Sequence, residues 1–356
     1  MAVLPIIIFS YISAAILSFE HKAPVLIICI LALVILSNGI ASFVSYGVGM
    51  LVIPLITLGG HMHLSTLSQE MTPYYSLGLP QIVSADKAMI LGIMFGIFFS
   101  FVRVPIAIQL TKFLQKYVTI ALQKGFVSLL PIYVLGFVLR MQYEGTLRLL
   151  IQNYGQVFGL VFMVLVMYIG LMYMVASQFH LPQFIQNLRQ MLPAGLTGFS
   201  TISSAVTMPF TLAATEKNIK NTQFAHLVVP TTVNIHMIGH GISIPIISLA
   251  LLSLSGHPLP SLGNYALFVA YFCIAKFSAT AIPGGGIIVI LPILQSQLGF
   301  TPEMASLMIM LDILQDPILT SGNVMGNGAF AIFCYRFCSR IKFIRLAPNT
   351  VPSTVT

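Results

Sequence analysis

Leu311-Asp312-Ile313-Leu314-Gln315-Asp316-Pro317-Ile318-Leu319-Thr320-Ser321-Gly322-Asn323-Val324-Met325-Gly326-Asn327 is the stretch that decides how this chain is built. Asp312, Asp316, Thr320, Asn323 and Asn327 recur at intervals of three or four residues, which places them on one face of a helix. The sequence around them is apolar. Between residues 221 and 335 the only acids are Glu303, Asp312 and Asp316, and the only Lys or Arg is Lys276. An ionisable group at membrane depth is costly unless paired or solvated, so these residues are functional candidates by default.

The whole chain shares that character. Of its 356 residues 57% are hydrophobic and 7% charged, a balance that excludes a soluble enzyme, a secreted domain and a nucleic-acid binder. A spanning helix needs about 20 apolar residues. Apolar segments recur at Met1–Phe19, Val25–Leu58, Ala88–Phe101, Phe126–Val138, Val157–Ala176, Leu227–Leu254, Tyr265–Leu294 and around Met308–Leu319. The net charge of +8 reports orientation. Arg336, Arg340, Lys342 and Arg345 follow the last apolar segment and put the C-terminus in the cytoplasm, and Lys112, Lys116 and Lys124 mark a second inside loop. The expected location is a bacterial inner membrane. The first segment has no basic n-region and no small-residue cleavage site, so it does not read as a cleavable signal.

Two polar or glycine-rich interruptions lie inside membrane-depth sequence: Gly198–Pro209 with its Ser200-Thr201-Ile202-Ser203-Ser204 core, and Ser278–Gly286 with Ile282-Pro283-Gly284-Gly285-Gly286. Non-helical backbone is tolerated in lipid only where it is buried in protein or lines a watery cavity. Each interruption therefore predicts a helical hairpin that dips into the membrane and returns. Each is followed by a long apolar helix, Leu227–Leu254 and Ala305–Phe333, and this pairing suggests an inverted repeat framing a site near the midplane.

With these residues in place the sequence resembles the dicarboxylate/amino acid:cation symporter family. Phe199–Thr211 is similar to that family's serine-rich first hairpin, Ala281–Gly286 to its second, and Leu311–Asn327 to its last helix, with the Asp-x-x-x-Asp pair and Asn-Val-x-Gly. Thr72–Gly96 and Pro131–Leu139 resemble helices that precede the first hairpin. Leu4–Ser10 looks like the middle of the family's second helix, so the first helix is expected to be missing. The resemblance implies an all-α polytopic membrane protein with the glutamate-transporter-like fold, two re-entrant hairpins and an inverted repeat. It further implies a homotrimer with residues 1-180 mainly scaffold, 181-345 an elevator-type transport domain and 346-356 a cytoplasmic tail.

Carried over residue by residue, the resemblance gives Asp316 the substrate amino group and Asn323 the substrate carboxylate plus a backbone carbonyl for a cation. Ser203 and Ser204 match the first hairpin's carboxylate contacts, and Ile282, Gly284 and Thr320 complete the substrate set. The arginine that selects acidic side chains falls at Leu319, so a carboxylate side chain loses its bidentate partner, and Lys276 and His240 are the only nearby cations. The family's Asn-Met-Asp-Gly-Thr stands here as His236-Met237-Ile238-Gly239-His240, and its last-helix aspartate is Asn327. Sodium favours oxygen cages rich in carboxylates and carbonyls, by the same hard-ion logic as calcium and magnesium. With two carboxylates gone, the candidate cation or proton site is Ser37, Asn38, His236, His240, Lys276, Asn323 and Asn327. Lys276 is the hypothesised proton carrier, with His236 or His240, in place of sodium.

Other patterns carry less. His236 and His240 have the i, i+4 spacing of a zinc peptidase helix, but methionine follows His236 where that chemistry needs glutamate. His61-Met62-His63 reads as a loop, and Gly284–Gly286 follows no strand and opens no nucleotide-binding helix. Cys29, Cys273, Cys334 and Cys338 show no CxxC spacing. No catalytic residue, metal site or cofactor is expected beyond Na+ or H+ as coupling ion. The expected function is a symporter of a small zwitterionic solute, a neutral amino acid. The alternatives are a sodium-coupled symporter of dicarboxylates or acidic amino acids, and an uncoupled exchanger or scaffold that keeps the fold.

Overall fold

The computed structural model describes residues 24–57, 104–121, 146–278 and 285–340, with isolated positions in 6–17, 91–102 and 135–139. Every regular element among the described residues is helical. In chain order these are α1 (Pro24–Thr57), α2 (Pro105–Ala121), α3 (Thr146–Ala176), α4 (Leu181–Thr201), α5 (Ser204–Ile219), α6 (Thr222–Thr232), α7 (Ile238–Leu254), α8 (Leu262–Ala275), α9 (Gly285–Leu298) and α10 (Pro302–Arg340). A short 3₁₀ turn, Lys276–Ser278, follows α8. The sequence expectations at Leu4–Ser10, His61–His63, Thr72–Gly96, Pro131–Leu139 and 346–356 lie wholly or mostly outside the described residues.

Among the described residues three helices are long and apolar enough to cross a membrane, at Ile28–Ile56, Tyr154–Ala176 and Pro302–Arg340. α1 and α3 turn Leu36, Leu51, Leu55, Phe162 and Met167 outward, the apolar surface that lipid requires. α7 is different: every residue except Ser253 is buried. A helix apolar on all sides belongs in the middle of a bundle. It packs on α1 and α10 and also touches α3, so residues on both sides of position 180 surround it.

Both expected hairpins are present. α4 and α5 pack together across a turn of only Ile202 and Ser203. Ile202 takes the left-handed conformation (φ 51°), unfavourable for a branched side chain, and its N–H closes α4 by donating to the Gly198 carbonyl. Ser203 then caps α5, its hydroxyl accepting the Val206 N–H at 3.4 Å. α8 and α9 form the second hairpin. Each has 14 residues. At 1.5 Å per residue such an arm reaches about 21 Å, short of a hydrocarbon core about 30 Å thick. Tyr265 anchors α8 to α1, stacking on Tyr46 with centroids 4.1 Å apart and donating to the Ser42 carbonyl at 2.9 Å.

One expectation fails. Leu227–Leu254 is not a continuous helix: α6 ends at Thr232, and α7 begins at Ile238 after a turn and two irregular residues, His236 and Met237. His236 and His240 consequently do not share a helix face. Thr231, Thr232, Asn234 and His236 interrupt the apolar run here without marking a helix end, because what holds the break open comes from another helix.

Candidate functional site

Breaking a helix exposes backbone groups that must find partners. Here Asn38 of α1 supplies two at once. Its Nδ2 donates to the Ile235 carbonyl at 2.8 Å, and its Oδ1 accepts the Met237 N–H at 3.2 Å. Beside it Ser37 Oγ lies 2.9 Å from His236 Nε2, and the His236 ring packs against Phe330 with centroids 4.4 Å apart. Ser37 and Asn38 thus clamp the 233–237 segment from the side. Lys276, fully buried, donates from Nζ to the Met237 carbonyl at 3.3 Å, with the ammonium 4.2 Å from the centre of the Phe272 ring.

On the other side of the break α7 meets the polar face of α10. Asp312, Asp316, Thr320, Asn323 and Asn327 are all buried, as one helical face turned inward requires. The contact is close: a Cβ on Gly239 would overlap the Leu319 carbonyl oxygen, and one on Gly326 would lie 3.0 Å from Ile238 Cγ1. Only glycine allows the two backbones to approach so nearly. Asn323 joins them. Its Oδ1 accepts the Gly239 N–H at 2.8 Å, which leaves Nδ2 as the donor to His240 Nδ1 at 3.0 Å. His240 Nδ1 is then an acceptor, so Nε2 carries the ring hydrogen. That nitrogen stands 4.0 Å from Asp312 Oδ2 and 3.9 Å from Asp316 Oδ1.

The two carboxylates differ. Asp316 Oδ1 accepts the Thr320 hydroxyl at 3.0 Å, whereas neither oxygen of Asp312 accepts a hydrogen bond. Gln315, one residue from Asp316, brings Oε1 within 3.5 Å of Ser243 Oγ and leaves Nε2 without a partner. Gln315 and Ser243 extend the set named from sequence. Gln315 and Ser243 are ordinary polar residues in apolar helices, and only the α7–α10 contact gives them a shared place.

Both hairpins reach this region. Gly198, one turn before the tip of the first, faces Val324, Ser321 and the Thr320 carbonyl, and Gly286 at the start of α9 faces Met237 and His240. The hydrogen bonds described at Ser203 stay inside the first hairpin, its carbonyl accepting the Thr207 hydroxyl at 2.8 Å, and Ser204 is buried. Leu319 is fully buried. Ile282 and Gly284 lie outside the described residues.

Among the described residues, the donor set at the break does not fit a sodium ion. The break's Ile235 and Met237 carbonyls already accept from Asn38 and Lys276. Ile238, where the resembling pattern has a carboxylate, is packed against Gly326. Asn327 beside His236 supplies a neutral amide oxygen where the resembling pattern has a carboxylate. Among the described residues no three His, Cys, Asp or Glu side chains are grouped to hold a metal ion.

Comparison with known proteins agrees with this architecture. The sodium:dicarboxylate symporter family matches residues 1–337. The chain is 28% identical over 166 residues to an excitatory amino acid transporter of Onchocerca volvulus and 27% identical over 166 residues to one of Caenorhabditis elegans. Each alignment covers 46% of this chain and 33% of the relative. Excitatory amino acid transporter 2 of Homo sapiens is 29% identical over 143 residues, 40% of this chain and 25% of the relative. The chain thus spans about a third of the length of the curated relatives it matches. With a family match across nearly all of its length and the hairpins and polar α10 face in position, this integral membrane protein belongs to the sodium:dicarboxylate symporter family.

Proposed function

We propose that the chain is a secondary transporter of a small zwitterionic solute, a neutral amino acid, working by an elevator-type cycle. The observation that carries this reading is the pairing of a buried Asp316, oriented by Thr320, with a buried Leu319 one turn away. Asp316 offers a carboxylate to an ammonium group. Leu319 offers nothing to a side-chain carboxylate, and the two acids would repel it. Ser203, Ser204, Ile282, Gly284, Thr320 and Asn323 complete the substrate contacts in this reading. The moving unit lies within 181-345 and takes α1 with it through the Asn38 clamp, and the remaining scaffold holds three protomers together. The C-terminus faces the cytoplasm of a bacterial inner membrane, on the side marked by Arg336 and Arg340.

The family description and the relatives' names favour a second reading, sodium-coupled uptake of an acidic substrate. Uptake of a panel of labelled amino acids into proteoliposomes separates the two. Neutral amino acids should accumulate saturably and compete with one another, with aspartate and glutamate far weaker. Saturable uptake that favours glutamate and needs sodium would overturn the proposal in favour of the second reading.

A further inference from the structure

We propose that Lys276 is a tethered cation whose ammonium permanently fills the place a coupling ion would take at the helix break, which makes the cycle independent of sodium. The inference deepens the transporter reading and rests on it.

Unwound backbone at membrane depth attracts monovalent cations because its carbonyl oxygens have lost their helical partners. In this chain those oxygens are answered from within. Asn38 Nδ2 takes the Ile235 carbonyl and Lys276 Nζ the Met237 carbonyl. The surroundings of the ammonium are those of a bound cation and not of an ion pair. No carboxylate among the described residues pairs with it, while the face of Phe272 lies 4.2 Å away and offers the negative side of its quadrupole. The space is built for it as well. A Cβ on Gly241 would come within 2.9 Å of Nζ, so a glycine at this point of α7 is what lets the ammonium sit against the break. The titratable groups facing it are Cys273 one turn back on α8, and His236 and His240 on either side of Met237 across the break. A sodium ion approaching the same carbonyl would meet a fixed positive charge in a low-dielectric setting, where like charges repel strongly.

The test is salt-specific stability of the purified full-length protein in a mild detergent. Unfolding midpoints are compared in sodium, potassium, methylammonium and choline chloride at equal ionic strength. The wild type should show the same midpoint in all four. Lys276→Ala should unfold earlier, and sodium or methylammonium should restore it saturably by about 2–4 °C, the scale expected when a ligand binds only the folded state. Lys276→Met should lose stability without restoration, since its side chain still fills the space. Gly241→Ala is the second probe. Alanine favours a helix interior, so a lower midpoint there reports displacement of the ammonium rather than a poorer helix. A saturable sodium-specific rise in the wild type, a Lys276→Ala loss that no cation restores, or a raised midpoint for Gly241→Ala would each overturn the inference. Solute uptake is measured separately, so failure of the transporter reading is distinguishable from failure of this one.

Discussion

Asn323 holds the two halves of the site in one geometry, and its removal should be disproportionately costly. In Asn323→Ala the Gly239 N–H loses its acceptor and His240 Nδ1 loses its donor, both of them buried. An orphaned buried polar group costs about 1–3 kcal/mol, so the substitution should destabilise by about 2–6 kcal/mol. At roughly 2 °C per kcal/mol, the low end of the range for larger domains, the midpoint should fall by about 4–12 °C. His240→Phe removes the imidazole and leaves only the Asn323 Nδ2 unsatisfied. In the double mutant neither Nδ1 nor Nδ2 exists, and the Gly239 N–H alone is stranded. The singles strand three groups between them and the double mutant one, so the pair should be less costly together than the sum of the singles by about 2–6 kcal/mol, which a double-mutant cycle on thermal or denaturant midpoints measures. A cost for Asn323→Ala below about 0.5 kcal/mol, or singles that simply add, would refute the view that this amide ties α7 to α10.

Other perturbations address the solute and the assembly. Asp316→Asn should abolish recognition of the amino group, weakening solute binding by about 3–5 kcal/mol, the usual result of removing one partner of a buried charge pair, and equilibrium binding of a labelled neutral amino acid reads it. Leu319→Arg should move selectivity toward aspartate and glutamate in competition uptake, because a guanidinium fork would then be available to a side-chain carboxylate; unchanged selectivity would remove position 319 from the substrate contacts. Crosslinking in native membranes, or native mass measurement in mild detergent, should give three protomers per particle, and a stable monomer would count against the retained scaffold.

What was legible in the sequence had local signals. Ser203-Ser204 and the glycine run at 284–286 stand out inside apolar sequence, and the 3.6 period of α10 is written in residues whose chemistry does not belong in lipid. The break at 233–237 had a weaker signal: neither glycine nor proline falls within it, although Pro230-Thr231-Thr232, Asn234 and His236 interrupt the apolar run there. Its cause is an asparagine about 200 residues earlier: Asn38 to Ile235 and Met237 is a tertiary contact that no periodicity reports. The i, i+4 reading of His236 and His240 failed for the same reason. The break sends one histidine toward Ser37 and Phe330 and the other toward Asn323 and the acids.

The departures from the pattern this chain resembles make more sense as a set than one by one. Leu319 in place of an arginine removes a positive charge, Ile238 and Asn327 remove two negative ones, and Lys276 adds a positive one. The fixed charge of the region therefore rises by two relative to that pattern, which is what two bound monovalent cations would contribute. Membrane-depth sites tolerate little net charge, because each unbalanced unit is costly where water is excluded. A site relying on sodium to neutralise its carboxylates can lose the ions only if it also loses the carboxylates or gains cations of its own, and this chain does both. Asp312 and Asp316 are the carboxylates that are kept, and in the proposed reading the solute brings its own ammonium to Asp316. Leu319 follows from the same balance: with Asp312 already facing His240, an arginine at 319 would add a charge that neither a bound ion nor a neutral solute could offset.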